Sequence, residues 1–212
     1  MHTTEIKKVL VANRGEIAVR IFRACYDLGL HTVAIYSNED TYSLFRTRAD
    51  EAYLVGEKKS PLGAYLDIPG IIGLAKRRGV TAIHPGYGFL SENSTFAKLC
   101  RDNDIVFIGP TPEVIDRMGN KSQARRTMMD AGVPVVPGTK KGVHDVDVAL
   151  EQARTIGWPI MIKASSGGGG KGMREVHDPA DLESHYKAAR AEAAAAFGND
   201  EVYLEKLVLR PR

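Results

Sequence analysis

Short apolar runs take turns with stretches of helical periodicity along the first half of this chain. Val9, Leu10, Val11 and Ala12 form a run between Lys8 and the polar trio Asn13, Arg14 and Gly15, the pattern of a buried parallel strand. Ile17, Ile21, Ala24 and Leu28 then recur at helical spacing, and Gly29 is placed to end that helix as its C′ residue. Residues 32–36 are a second strand, so strand, helix and strand make a βαβ unit. The alternation goes on with strand 52–55, helix 68–78 closed by Gly79, strand 81–84, helix 96–101 and strand 105–108. It predicts an α/β fold, a doubly wound, Rossmann-like parallel sheet. On the first helix, Ile17, Ile21, Ala24 and Leu28 are the expected inner stripe. Glu16, Arg20, Arg23 and Asp27 form an outer stripe with two i,i+4 ion pairs. Val19 and Phe22 fall beside the outer stripe. Phe22 is then either an exposed interface residue or packed under a neighbouring loop.

Gly109, Pro110, Thr111 and Pro112 mark a boundary. Helices 113–118 and 121–131 follow, separated by Gly119 and Asn120. A smaller unit then opens near Val135: helix 146–156, strand 160–164, strand 174–176, a long helix 181–197 and strand 201–206. Asp178 is placed to cap the long helix, with Pro179 at its first position. Antiparallel strands backed by two helices predict a small α+β lid. The expected division is 1–112, connecting helices 113–134, and 135–212.

Between the two central strands of that lid lies the most unusual stretch. Ile160, Met161 and Ile162 end in Lys163, then come two serines, the four glycines 167–170, Lys171 and Gly172. Consecutive glycines lose much entropy on ordering, and their use is to let backbone N–H groups close on an anion that a Cβ would obstruct. With Lys163 and Lys171 on either side, a polyphosphate suits the loop better than the alternative of a flexible linker. Lys163 itself either pairs a phosphate or snorkels along the sheet. The loop is not a Walker A motif, because Met173 stands where Lys-Ser/Thr is required. The first βα turn, with Gly15 alone, lacks the G-x-G-x-x-G fingerprint of dinucleotide sites.

The 212 residues carry 43% hydrophobic and 26% charged side chains and a net charge of +3. These are the values of a globular protein, and they favour neither nucleic acid nor membrane as a partner. No apolar run approaches membrane-spanning length, and the first residues resemble neither a signal nor a transit peptide, so a cytoplasmic location is expected. Cys25 and Cys100 sit in apolar helical patterns and read as buried free thiols, with a disulfide left open.

The segment 11–21 (VANRGEIAVRI), the loop 84–93 (HPGYGFLSEN) and the glycine stretch 162–174 (IKASSGGGGKGMR) together resemble the biotin carboxylases of the ATP-grasp class, in the order that family has them. The stretch 34–67 is most similar to the pyruvate carboxylase branch. The resemblance implies a ligase that uses ATP and bicarbonate to carboxylate biotin through carboxyphosphate, with Mg²⁺ or Mn²⁺, a biotin carboxyl carrier domain or protein as partner, and dimerisation through the first unit. It implies nucleotide contacts from Lys121, which matches the lysine of M-G-D-K although Asn120 replaces the Asp. It implies others from Lys163, Gly169 and Gly170, and from the hinge Glu205, Lys206 and Val208. From its residues alone, Glu205 reads as an exposed acid at a strand end. The family's metal carboxylates, its base and its bicarbonate- and biotin-binding arginines have no match here. The expectation is therefore the N-terminal part of such an enzyme, binding ATP without catalytic residues of its own. A non-catalytic nucleotide-binding module and an ATP-grasp ligase for another acid are the alternatives.

Overall fold

The structure, a computed structural model, describes residues 5–119, 121–165 and 172–210, apart from the side chains of Lys121 and Ser122. The chain divides into two compact units, Met1–Asp116 and Arg117–Arg212.

The first unit is built on strands β1 (Lys8–Val11), β2 (His31–Tyr36), β3 (Glu51–Leu54), β4 (Ala82–His84) and β5 (Val106–Phe107), all parallel in the order β3-β2-β1-β4-β5. Alternate side chains of β1 feed two cores. Val9 and Val11 pack with Ala18, Ile21, Phe22 and Cys25 of α1 (Gly15–Asp27). Leu10 and Ala12 face the other way, toward Tyr65 of α2 (Pro61–Tyr65), Ile71 and Ala75 of α3 (Ile68–Arg77), and Phe96 and Cys100 of α4 (Ser94–Asp102). This is the expected doubly wound sheet, with helices on both faces. Gly29 and Gly79 end α1 and α3 at φ of +68° and +63°, the left-handed turn that glycine makes without a Cβ penalty. The boundary between the units falls within α5 (Pro112–Gly119).

The expected phase of α1 is not the observed one. Phe22 is 2% exposed, whereas Leu28 is 74% exposed and Ala24 is also on the surface. The buried stripe is Ala18, Ile21, Phe22 and Cys25, still i, i+3, i+4, i+7 but rotated. Phe45, on a 3₁₀ turn Leu44–Arg48, joins Phe22 in the same core, so the loop-packing alternative is the one the fold adopts. Glu16, Arg20, Arg23 and Asp27 are exposed as expected. The two predicted ion pairs do not form, and Glu16 instead accepts from the Tyr87 hydroxyl at 2.8 Å.

In the second unit α6 (Lys121–Asp130) is followed by α7 (Val146–Ile156), β6 (Ile160–Ala164), β7 (Met173–Val176), α8 (Leu182–Phe197) and β8 (Val202–Lys206). The sheet is antiparallel in the order β7-β6-β8. One face carries Ile160, Ile162, Val176, Val202 and Leu204, packed on Ala149 and Ala153 of α7 and on Tyr186 and Ala189 of α8. Residues 137–143 run beside β8, with Thr139 N–H on Leu204 O at 2.8 Å and Val143 N–H on Val202 O at 2.7 Å. Gly138 is required there, because a Cβ would lie 2.4 Å from the Leu204 carbonyl oxygen. Asp178 caps the 3₁₀ turn Pro179–Asp181 that leads into α8.

Candidate functional site

The alternation that buries Ile160, Ile162 and Ala164 turns Met161 and Lys163 to the opposite face of the lid sheet. In β8 the same rule buries Val202 and Leu204 and turns Tyr203 and Glu205 outward. The antiparallel register pairs Lys163 with Tyr203 and Met161 with Glu205. Lys163 and Glu205 are thus diagonal neighbours on one face, and the Lys163 ammonium donates to Glu205 Oε2 at 2.5 Å. Arg125 of α6 donates to the other oxygen, Oε1, at 3.3 Å, and a second guanidinium nitrogen bonds the Val136 carbonyl. Glu205, expected on residue grounds to be exposed, has a side chain only 15% exposed, and Arg125 only 12%. Two cations against one carboxylate leave this face net positive. The carboxylate keeps acceptor capacity, and the planar guanidinium presents its donors in a fixed fork.

A cavity of about 360 Å³ opens beside the pair, lined by Met118, Ala124, Arg125, Val135, Val136, Thr139, Tyr203 and Glu205. Burial pushes the Tyr203 phenol up to about 12, helped by the Glu205 charge and opposed by Arg125, so it is a neutral donor at neutral pH. Thr139 braces the strand by accepting from Leu204 N–H at 3.2 Å.

The other expected contacts are distributed differently. Lys206 points to the far side of the sheet, where its ammonium donates to the carbonyls of Gly157 (3.0 Å) and Trp158 (2.5 Å) at the end of α7. Its N–H is bound to Pro137 O at 2.7 Å. Val208 follows β8 and is 52% exposed, with Leu209 beside it at 61%. Gly169, Gly170, Lys171 and the Lys121 side chain lie outside the described residues. Their frame is described: β6 and β7 form the expected antiparallel hairpin, and Ala164 N–H meets Gly172 O at 3.0 Å. Among the described residues no group of three or more His, Cys, Asp or Glu is arranged to hold a metal ion. Sequence reasoning missed Arg125 and Tyr203. Arg125 comes one helical turn after Lys121, and Tyr203 shares the strand parity of Glu205, so both signals were available.

In the first unit the crevice between β1 and β4 is where doubly wound sheets place ligands. Here Asn13, 3% exposed, fills it and donates to the carbonyls of Pro85 and Tyr87, both at 2.8 Å. Gly86 must be glycine, because a Cβ there would lie 2.6 Å from the Asn13 amide nitrogen. His84 accepts from Gly86 N–H at 3.0 Å, and burial lowers its pKa, so it braces the loop as a neutral ring. Next to this turn Arg14 grips Asp40 through two nitrogens, at 2.6 and 2.5 Å. The hydroxyls of Tyr65 and Ser43 donate to the same carboxylate at 2.6 and 2.7 Å. The guanidinium and these hydroxyls hold Asp40 well below the usual carboxylate range, with burial opposing.

Comparison with known proteins agrees with the geometry. Residues 5–115 match the family described as biotin carboxylase, N-terminal domain, and residues 120–212 match that described as carbamoyl-phosphate synthase L chain, ATP binding domain. The chain is 55% identical over 212 residues to the pyruvate carboxylase of Bacillus subtilis, covering 100% of this chain and 18% of that protein. It is 54% identical over 205 residues to a biotin carboxylase of Nostoc sp., covering 97% of this chain and 46% of that one. The biotin carboxylase domain dimer of Hydrogenobacter thermophilus 2-oxoglutarate carboxylase, solved with MgADP, ADP and bicarbonate, superposes with a TM-score of 0.83 at 48% identity. That match covers 95% of this chain and 44% of the other. The chain thus spans about a fifth of the pyruvate carboxylase and less than half of the biotin carboxylase.

Proposed function

The chain belongs to the biotin carboxylase family, and on that premise we propose that it binds ATP on the open face of β6 and β8, as the first part of an enzyme that carboxylates biotin. The observation that carries this reading is the Lys163–Glu205 pair on the sheet face opposite the core, set beside a cavity and the β6–β7 hairpin. Lys163, with Lys121, would neutralise phosphate oxygens, and Gly169 and Gly170 would close backbone N–H groups over them. Glu205 and the backbone of Lys206 would meet the adenine and ribose, with Val208 against the base. The Lys206 ammonium, committed to Gly157 and Trp158, takes no part. In domain terms, 1–112 is the unit before the ATP-grasp fold, 113–134 connects, and 135–212 is the lid.

In the complete enzyme bicarbonate oxygen attacks the γ-phosphorus of ATP and the bond to the β–γ bridging oxygen breaks, giving carboxyphosphate and ADP. The ureido nitrogen of biotin on a carrier domain would then bond the carboxyl carbon as its bond to the phosphate oxygen breaks, the N–H proton leaving with the phosphate. Such transfer depends on positioning and charge stabilisation, which this chain supplies through its lysines. Among the described residues no group of three or more His, Cys, Asp or Glu offers a donor set for Mg²⁺. The proposed final acceptor is pyruvate, the reading of the 34–67 stretch, with an acyl-CoA as the other candidate. A dimer through the first unit, by analogy with the Hydrogenobacter domain, would use the exposed stripe Glu16, Arg20, Arg23 and Asp27. Two buried thiols suit a cytoplasmic setting.

The test is calorimetric titration of the 212-residue chain with ATP, run beside a bicarbonate-dependent ATPase assay with free biotin. The expected result is binding without bicarbonate-dependent turnover. Absence of ATP binding would reject the reading, and full turnover would mean that the catalytic groups lie within this chain.

A further inference from the structure

We infer that Arg125 is a positioning residue for the nucleotide site, holding the Glu205 side chain in place while Lys163 changes partner from that carboxylate to the phosphates of the incoming nucleotide. The inference rests on the proposed ATP site and extends it to a residue outside the family motifs.

The geometry around the carboxylate leads to it. Lys163 is bonded to Glu205 Oε2 at 2.5 Å, so the lysine expected to meet phosphate is held by a carboxylate. If Lys163 stayed there and also met a phosphate, two anions would be brought close together around one ammonium and would repel each other. If it left without replacement, a carboxylate only 15% exposed would lose its counter-ion. Arg125 removes both difficulties. It bonds the oxygen that Lys163 does not use, Oε1, and its own side chain is 12% exposed. Its far nitrogen is tied to Val136 O, so the guanidinium stays where it is when Lys163 departs. Arginine suits this position better than lysine, since it carries fixed charge and presents several donors in one plane. The Arg125 position lies four residues after Lys121 on α6, so one helix face brings a cation to the carboxylate next to the position expected to reach the nucleotide.

A double-mutant cycle on the whole chain, read by ATP titration, tests this. The four proteins are the unaltered chain, Arg125→Met, Glu205→Gln and the double variant, with Arg125→Lys as the conservative change and circular dichroism as the check on folding. Removing a charge-assisted partner should weaken ATP binding by about tenfold or more in the Arg125→Met chain. With Glu205→Gln there is no carboxylate left to compensate, so the same substitution should change affinity by less than about threefold. Arg125→Lys should recover most of the loss. Equal losses in both backgrounds, the result of a purely structural tie to Val136, would overturn the inference while leaving ATP binding intact. So would an Arg125→Lys chain that folds yet binds as weakly as Arg125→Met. If the unaltered chain binds no ATP, the site reading fails, and the role of Arg125 fails with it.

Discussion

Lys163 and Glu205 meet diagonally across β6 and β8, with Nζ 2.5 Å from Oε2, because the register sets Lys163 opposite Tyr203 and Met161 opposite Glu205. A one-residue slip of either strand would send one of the pair into the core with Ile162 and Leu204. The packing of one sheet face therefore fixes the geometry of the other.

Lys163→Met separates stability from binding. Glu205 keeps Arg125 as partner, and Lys163 is 30% exposed, so the fold should lose about 1 kcal/mol or less. ATP affinity should fall by about tenfold or more, since a charged donor to phosphate is gone. Thermal melting and ATP titration on the same samples check this. A large drop in melting temperature with little change in binding would count against a phosphate role.

Asp40 is the acid-sensitive point of the first unit. Its carboxylate accepts from Arg14, Tyr65 and Ser43 and is 3% exposed, so Asp40→Ala should cost about 3 kcal/mol. Its folded pKa is lowered, so its contribution is fully present above the unfolded value of about 4 and is lost as pH falls below that. Hydrogen exchange at β1 and β4 amides, compared between the unaltered protein and Asp40→Ala, should show a stability gap at pH 7 that narrows below about pH 4. A gap that widens on acidification would reject the assignment.

Gly138→Ala probes the strand that carries Glu205. The added Cβ would lie 2.4 Å from Leu204 O and 3.1 Å from Glu205 Cα, both backbone atoms of β8. The second unit should lose about 2 kcal/mol or more and bind ATP less tightly. Trp158 is the single tryptophan and packs against the core of this unit, so its fluorescence reports the melting. An unchanged transition would show that residues 137–143 can move away from β8 without loss.

Neither cysteine should react in the native protein. Cys25 is 6% exposed and Cys100 is fully buried, and burial pushes the Cys100 thiol up to about 12. Mass spectrometry after alkylation near neutral pH should find both modified only in denaturant. Rapid native labelling of Cys100 would contradict the packing of α4.

The sequence is informative where a local rule decides the outcome. Ile160 and Ile162 against Met161 and Lys163 define the two faces of β6, and Gly29 and Gly79 stop helices because the left-handed turn suits them. It is uninformative where a distant partner decides. Ile17, Ala18, Ile21, Phe22, Ala24 and Cys25 give α1 more than one apolar stripe of the right period, and Phe45 on a separate turn helps to select the one that is buried. Glu205 reads as exposed until Arg125, 80 residues earlier in the chain, is brought beside it. The five-residue helix α2, capped by Ser60, is too short to show a period.

ATP docking on the face of β6 and β8 that carries Lys163 and Glu205 would change the backbone exposure of both strands. Hydrogen exchange of the 212-residue chain, read by mass spectrometry with and without ATP, tests it most directly. Exchange should slow in peptides covering 161–165, 172–173 and 203–208, with residues 8–14 and 82–89 unchanged. Protection confined to 8–14 and 82–89, around Asn13 and His84, with none at Lys163 or Glu205, would contradict it.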